Sequence, residues 1–189
     1  MKFPNRRCLG AWAAVSSSLG QLMRRQSWIA VLGLAALLVG VLGCGGSSQP
    51  RPIDGIPCTA EMLRVHFHAH LALLDDGRPV SLPAGIGIRQ HSDCLYFLHT
   101  HKPDGIIHIE APSRRTFTLG EFFDIWGKPL SVGRADGLTS RRRERLHVFV
   151  NGRTYTGDPR RIRLAPHQVL TIEAGREVSP PPYRFGSTF

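Results

Sequence analysis

Histidine is the residue type in this chain whose number and spacing point to chemistry. Six of the nine histidines fall into two dense groups, and those six are His66, His68, His70, His99, His101 and His108. A neutral imidazole nitrogen is a good ligand for Zn, Cu, Fe and Ni. The chain has no GxSxG, P-loop, GxGxxG or HExxH motif, so metal binding is the chemistry that the sequence favours.

The first histidine group has the spacing of one face of a β-strand. Side chains alternate along a strand, so His66, His68 and His70 are expected to point to the same side. The residues that alternate with them are apolar, among them Phe67 and Leu71, and they point to the other side, toward a core. The sequence therefore predicts a half-buried strand that carries three imidazoles on its polar face.

The second histidine group is predicted to meet across a hairpin. Residues 94–101 and 106–111 have strand composition, and the loop 102–105 contains Pro, Asp and Gly, a turn signal. A four-residue loop puts His99 directly opposite His108, with Cβ atoms about 4.5–5.5 Å apart. Two imidazoles at that spacing can bind one ion at about 2.0–2.1 Å from each nitrogen. The candidate ligands of this hairpin are His99, His101, His108 and Glu110.

Both histidine groups together predict a transition-metal site. Zn or Cu(II) is favoured over Cu(I), because Met62 is the single methionine after Cys44 and Cu(I) prefers thioether ligands. The favoured hypothesis is a protein that binds, buffers or delivers the metal. A second hypothesis is a metal-dependent enzyme whose ion keeps an open position. In a third, the histidines are polar surface residues of a structural or protein-interaction module, and no protein partner can be named.

The positive charge of the chain is concentrated in its first part. The formal net charge is +10, and residues 1–43 hold five of the 24 basic residues and none of the 14 acidic ones. The basic excess of the remaining chain is half as large and is interspersed with acidic residues. This distribution does not favour a nucleic-acid-binding protein.

Residues 1–43 are predicted to be a signal or leader segment. Residues 28–42 are 15 uncharged residues behind Arg24 and Arg25, too few for a typical spanning helix but typical of a signal peptide. The sequence "MRRQS" forms a compact positively charged start, so Met23 is the alternative first residue of the protein.

The sequence "VLGC" (41–44), at the end of this stretch, resembles the lipobox of bacterial lipoproteins. The resemblance implies that Cys44 is lipidated and becomes the mature N-terminus, and that the exported protein is anchored to the cell membrane or envelope. Two or more acyl chains make such an anchor stable. The alternative is an uncleaved signal-anchor helix in which Cys44 has no special role.

The exported part is predicted to be one α+β domain, mostly antiparallel sheet with one short amphipathic helix at about 118–127. Residues 44–57 are rich in Gly, Ser and Pro and are interpreted as a flexible tether. The domain is expected to span 58–177, and the Pro-rich residues 178–189 to form an extended arm. Further hairpins are predicted where strand-like segments flank a turn, namely at 63–74 with 78–83, 146–150 with 153–156, and 161–165 with 169–174.

Two cysteines remain for the folded domain, Cys58 and Cys94. An even pair in an oxidising compartment predicts a disulfide. The alternative is that both are thiolate ligands of a metal.

Three segments of the chain are similar to an uncharacterised family of exported bacterial proteins. They are "CLYFLHTHKPDGIIHIEAP", "FTLGEFFDIWGKPLS" and "VFVNGRTYTGDPRRIRLAPHQVLTIEAG", and the part reading "HTHKPDGIIHIE" is the most specific. The resemblance implies one exported domain over most of 63–175. It implies no activity.

Overall fold

A computed structural model describes residues 50–90, 93–140 and 145–187 of the chain. The predicted leader, the lipobox with Cys44 and the first part of the predicted tether lie outside the described residues. The strands, in chain order, are β1 (Val65–Asp75), β2 (Arg78–Val80), β3 (Ile88–Arg89), β4 (Cys94–Leu95), β5 (Leu98–His99), β6 (Ile106–Ala111), β7 (Leu130–Ser131), β8 (Arg134–Ala135), β9 (Leu138–Thr139), β10 (His147–Val150), β11 (Arg153–Thr154) and β12 (Gln168–Ala174). The helices are α1 (Leu119–Trp126) and a 3-10 turn (Pro159–Arg161).

The principal sheet has the strand order β11-β10-β12-β1-β6-β5. Strand β2 pairs with the last residues of β1, beyond those that pair with β6. The α+β class and the richness in antiparallel pairs are confirmed. The sheet is nevertheless mixed, because β1 and β12 run parallel from the pair Ala69–Gln168 to the pair Asp75–Ala174. Turn signals in the sequence predict only pairs of consecutive strands, whereas these two strands lie far apart in the chain.

Two of the predicted hairpins form as expected. Asn151 and Gly152 between β10 and β11 both have positive φ, 51° and 74°, as a type I′ turn requires. Asp76 and Gly77 between β1 and β2 have φ of 48° and 80°. These two-residue turns fix the register of the strands that they join.

The segment 94–101 is not one continuous strand. It breaks at Tyr96, whose backbone N–H donates to Gly87 O at 2.9 Å rather than to a ladder partner. Before the break, β4 pairs with β3. After it, β5 pairs with β6 in the principal sheet. The histidine hairpin therefore consists of β5 and β6 alone.

The strand predicted at 161–165 is also wrong. Asp158 caps a 3-10 turn by accepting a hydrogen bond from Arg160 N, and Pro159 occupies the first position of that turn. The residues that follow contribute an isolated bridge between Arg163 and Thr118. Local capping therefore outweighs the alternating pattern on which the prediction depended.

Helix α1 begins and ends as the sequence predicts. Thr118 accepts a hydrogen bond from Glu121 N, the Glu121 side chain accepts from Thr118 N, and Gly127 terminates the helix with φ 72°. Phe122 and Phe123 are fully buried. They belong to one core with the sheet residues Leu71, Leu73, Ile107 and Ile109, so the helix covers the face of the sheet opposite the histidines.

The two ends of the described chain pack against the domain. Ile56, in the segment predicted as tether, is fully buried, and Tyr96 Oη donates to Arg51 O at 2.9 Å. The Pro-rich residues 178–187 have no regular secondary structure, yet the Tyr183 ring stacks on His70. None of the described helices is long and apolar enough to cross a membrane.

Candidate metal centre

The register of β6 between β1 and β5 brings the histidines together. His108 of β6 lies opposite His68 of β1 on one side and opposite His99 of β5 on the other. Glu110, two residues further on the same face of β6, lies opposite His66. Directly opposed residues in antiparallel strands share a face. The pairing of three strands therefore gathers imidazoles and one carboxyl group on a single patch of the sheet.

The first group of donor atoms combines β1 and β6. His66 Nε2 lies 3.1 Å from His68 Nε2, and His68 Nε2 lies 3.1 Å from His108 Nδ1. The ligand atoms of these three residues all lie within 4.8 Å of one another. Two nitrogens bound to one ion at about 2.0–2.1 Å in tetrahedral geometry are about 3.3 Å apart, so this group has the size of a metal site.

The second group of donor atoms combines β5, β6 and the residues that follow β5. His99 Nε2 lies 3.2 Å from His101 Nε2 and 3.7 Å from Glu110 Oε2. The His101 ring is perpendicular to the His108 ring, with centroids 4.5 Å apart. The ligand atoms of His99, His101, His108 and Glu110 lie within 4.8 Å of one another, so these residues could also hold an ion.

The Glu110 carboxylate lies between the two groups. Its Oε1 is 3.4 Å from His66 Nε2 and 3.4 Å from His108 Nδ1, while its Oε2 faces His99. The residue is only 2% exposed, and among the described residues its buried Oε2 has no hydrogen-bond partner. A buried polar atom without a partner carries a free-energy cost, which a bound cation would remove.

Burial keeps the central imidazoles neutral. It lowers the pKa of His99 to about 4 and the pKa of His108 to about 3, and it lowers the pKa of His68 as well. Repulsion among the neighbouring imidazoles lowers these values further. Burial also raises the pKa of Glu110 to about 7, with the nearby Glu61 carboxyl adding to the effect. Near neutral pH the imidazole nitrogens therefore keep the lone pairs that a metal needs.

A backbone carbonyl fixes the tautomer of His99. His99 Nδ1 lies 3.0 Å from Tyr96 O, and a carbonyl can only accept, so Nδ1 carries the hydrogen. In the neutral ring, Nε2 then has a free lone pair that faces His101 and Glu110. Metal-binding histidines usually donate their other ring N–H to a carbonyl or carboxylate in this way. The break in the strand at Tyr96 supplies that carbonyl.

His70 lies outside both groups, although it shares a strand face with His66 and His68. Its ring is stacked on Tyr183, with centroids 3.6 Å apart and planes 11° apart. On the other side it meets the turn before β6, where a Cβ on Gly105 would lie 3.0 Å from His70 Nε2. The structure therefore places six of the seven predicted ligands in the two groups and His70 beside them.

Three histidines were not predicted to be ligands. His147 lies 3.7 Å from Glu177 Oε2, and the His167 ring contacts Phe185. His91 is outside the described residues. Neither His147 nor His167 belongs to the two groups of the described chain that could hold a metal.

Cys58 and Cys94 form the predicted disulfide. Their Cα atoms are 5.4 Å apart, and the bond closes a separation of 36 residues. The bonded sulfurs rule out the alternative that the two cysteines are thiolate ligands in this state. The disulfide attaches the N-terminal segment to β4, which directly precedes the break and β5.

Sequence reasoning missed two neighbours of the histidines. The Tyr96 carbonyl acts through the backbone, so no residue pattern indicates it. Tyr183 covers His70 from the Pro-rich C-terminal segment, for which the proline content predicts only an extended arm. The aromatic residues of that segment, Tyr183 and Phe185, are the signal that could have indicated a packed arm.

A surface cavity of about 510 Å³ adjoins His66, and arginines from three segments line it, namely Arg64, Arg114, Arg115 and Arg163. Arg115 pairs with Glu121. The His66 side chain is 43% exposed, whereas His99 is fully buried. His101 is exposed as well as His66, so solvent reaches the cluster at both of its outer ends, and the cavity lies at the His66 end.

No protein-family model, curated protein or solved structure matches the chain. The geometry of the cluster is therefore the basis on which a function can be inferred.

Proposed function

We propose that this chain is an exported, lipid-anchored protein that binds a transition metal ion for buffering or delivery. The observation that carries the proposal is the convergence of five imidazoles and a buried carboxylate from β1, β6 and the end of β5. Within each group, neighbouring nitrogens lie 3.1–3.2 Å apart, which suits ligands of one ion. The ligand set of nitrogen and oxygen donors favours Zn or Cu(II).

Two properties of the cluster support a binding role over a purely structural surface. Burying several imidazoles beside an unpartnered carboxylate oxygen costs stability. A bound dication would offset that cost, because it satisfies the lone pairs and lowers the pKa of Glu110 back below neutrality.

Lipid anchoring rests on the leader and the "VLGC" sequence that ends at Cys44, outside the described residues. A lipid-anchored metal-binding protein would hold its ion at the membrane surface, where ions enter or leave the cell. Cys44→Ser should release the protein from membranes in the host bacterium. If the variant stays in the membrane fraction as firmly as the native protein, the segment is an uncleaved helix and the lipoprotein proposal fails.

Metal content is the test of the binding role. The full-length chain, purified without a histidine tag, is treated with chelator, reloaded with Zn or Cu(II) and desalted before elemental analysis. At least one equivalent should remain bound. Retention below about a tenth of an equivalent would leave the cluster as polar surface of a structural or protein-interaction module.

A metal-dependent enzyme is the second candidate, and the cavity beside His66 is the observation that favours it. Arginines on its walls suit an anionic small molecule, and catalytic ions keep a position open to water or substrate. Water-proton relaxation of the Cu(II)-loaded protein distinguishes the two roles. Rapidly exchanging water on the ion favours the enzyme, and a closed ligand shell favours binding and delivery.

A further inference from the structure

The donor atoms of the cluster fall into two groups rather than one. His66 and His68 come from β1, whereas His99 and His101 come from the end of β5, and β6 separates the two pairs. Neighbouring strands are about 4.8 Å apart, so β1 and β5 are about 10 Å apart. An ion that binds at about 2.0–2.1 Å spans little more than 4 Å between its ligand atoms. The ligand atoms that lie within 4.8 Å of one another form two sets, and the His66–His68 pair and the His99–His101 pair belong to different sets, so one ion binds only one of the two pairs.

We propose that the cluster is a two-ion centre bridged by Glu110, an inference that rests on the proposed metal-binding function. One ion is bound by His66 Nε2, His68 Nε2 and His108 Nδ1. The other is bound by His99 Nε2, His101 Nε2 and Glu110 Oε2. Glu110 Oε1 completes the bridge to the first ion.

The position of Glu110 supports the bridge. Its Oε1 lies 3.4 Å from both His66 Nε2 and His108 Nδ1, and its Oε2 lies 3.7 Å from His99 Nε2 on the opposite side. A carboxylate that directs one oxygen to each donor group suits two ions about 3.5–4 Å apart. The lack of any hydrogen bond to the buried Oε2 leaves that oxygen available to an ion.

The charge balance of the centre indicates that it also binds an anion. Neutral imidazoles add no charge, so two dications beside one carboxylate leave an excess positive charge. Glu61 lies near enough to influence Glu110 and can offset part of it. The remainder calls for a small anion or hydroxide bound to the ions, and the arginine-lined cavity beside His66 is suited to admit one.

Stoichiometry tests the two-ion centre. The untagged full-length chain, cleared of metal and reloaded with Zn, should retain two equivalents by elemental analysis and native mass spectrometry. The double variants H66Q/H68Q and H99Q/H101Q should each retain one equivalent. His147→Gln is the matched control, because His147 lies outside both groups, and it should retain two.

Each outcome has a distinct meaning. One equivalent in the native chain overturns the two-ion centre but leaves the proposed metal-binding function, and no retained metal overturns both. Loss of all metal in either double variant, with circular dichroism and cooperative unfolding unchanged, shows a single shared ion and also overturns it. With two Cu(II) equivalents, the native chain should give a half-field electron paramagnetic resonance transition from neighbouring ions. Two isolated Cu(II) signals without that transition would contradict the bridge.

Discussion

His68 and His108 stand directly opposite each other on the antiparallel strands β1 and β6, with Nε2 of the first 3.1 Å from Nδ1 of the second. This contact joins the two histidine groups of the sequence. His68 and His108 are 40 residues apart in the chain. His108 belongs to both groups of donor atoms. It is therefore the residue on which the cluster depends most.

His108→Gln should weaken metal binding more than any other single histidine substitution. We expect the affinity to fall at least about tenfold, or about 1.4 kcal/mol, because the variant removes a ligand that lies within reach of both groups. Competition with a chromogenic chelator measures the change. His70→Gln is the control, since that ring is stacked on Tyr183 outside both groups. If the metal affinity fell equally in the two variants, the assignment of His108 as a ligand of both groups would be contradicted.

The metal-free protein should lose stability on acidification from about pH 6.5 to about pH 4.5. Burial lowers the pKa of His99 to about 4 and of His108 to about 3, below the 6.5 of the unfolded chain, so the unfolded state binds more protons in this range. Glu110 acts in the opposite direction, because burial raises its pKa from 4.5 to about 7 and the folded state keeps that proton. Two lowered imidazoles outweigh one raised carboxyl group.

Urea unfolding in the presence of EDTA, at several pH values in that range, measures this dependence. Glu110→Gln removes the opposing contribution of the carboxyl group. The free energy of unfolding should then rise more steeply with pH than in the native chain. A shallower slope in the variant would show that the sign assigned to Glu110 is wrong.

Gly87→Ala should disturb both the fold and the site. Gly87 has φ 74°, and an added Cβ would lie 2.5 Å from Leu98 O and 3.1 Å from His99 Cβ. Gly152→Ala is a matched control, because Gly152 also has φ 74° but nothing lies within 4 Å of its added Cβ. Both variants carry left-handed strain of about 1–2 kcal/mol.

The Gly87 variant should lose about 1–3 kcal/mol more than the Gly152 variant in chemical denaturation, because of overpacking. Its metal affinity should also fall, since the clash displaces His99. Equal stability and equal affinity in the two variants would mean that the contact between Gly87 and β5 has no role in positioning His99.

Loss of the Cys58–Cys94 disulfide should lower the free energy of unfolding by about 3–4 kcal/mol, as expected for a loop of this length. The closed loop spans 36 residues, so the unfolded chain gains considerable freedom when the bond is absent. Denaturation of C58S/C94S beside the native chain measures the loss. Addition of a reductant should destabilise only the native chain, and a reductant effect on the variant would point to a different cause.

The local part of the site could be predicted from the sequence. Turn signals at 102–105 predict the register that places His99 opposite His108, although β5 ends at His99 and residues 100–105 connect it to β6. The capping residues Thr118 and Glu121 likewise fixed the start of α1. In both cases the determining contacts lie within a few residues of each other, so the sequence pattern contains them.

The long-range part could not be predicted. Which strand lies beside β6 depends on the packing of the whole sheet, so the pairing of His68 with His108 has no local signal. The same holds for the parallel pairing of β1 with β12 and for the stacking of Tyr183 on His70. Alternation placed His70 correctly on the histidine face, but only the packed C-terminal arm determines that its ring is covered.

The most direct test of the metal site is X-ray absorption spectroscopy of the Zn-loaded, untagged full-length protein. We predict nitrogen and oxygen ligands at about 2.0–2.1 Å, with the outer-shell scattering of at least two imidazoles per ion, and weaker imidazole scattering in His108→Gln. A shell of water oxygens without imidazole scattering would contradict it, because the ion would then lie away from the histidines of β1, β5 and β6.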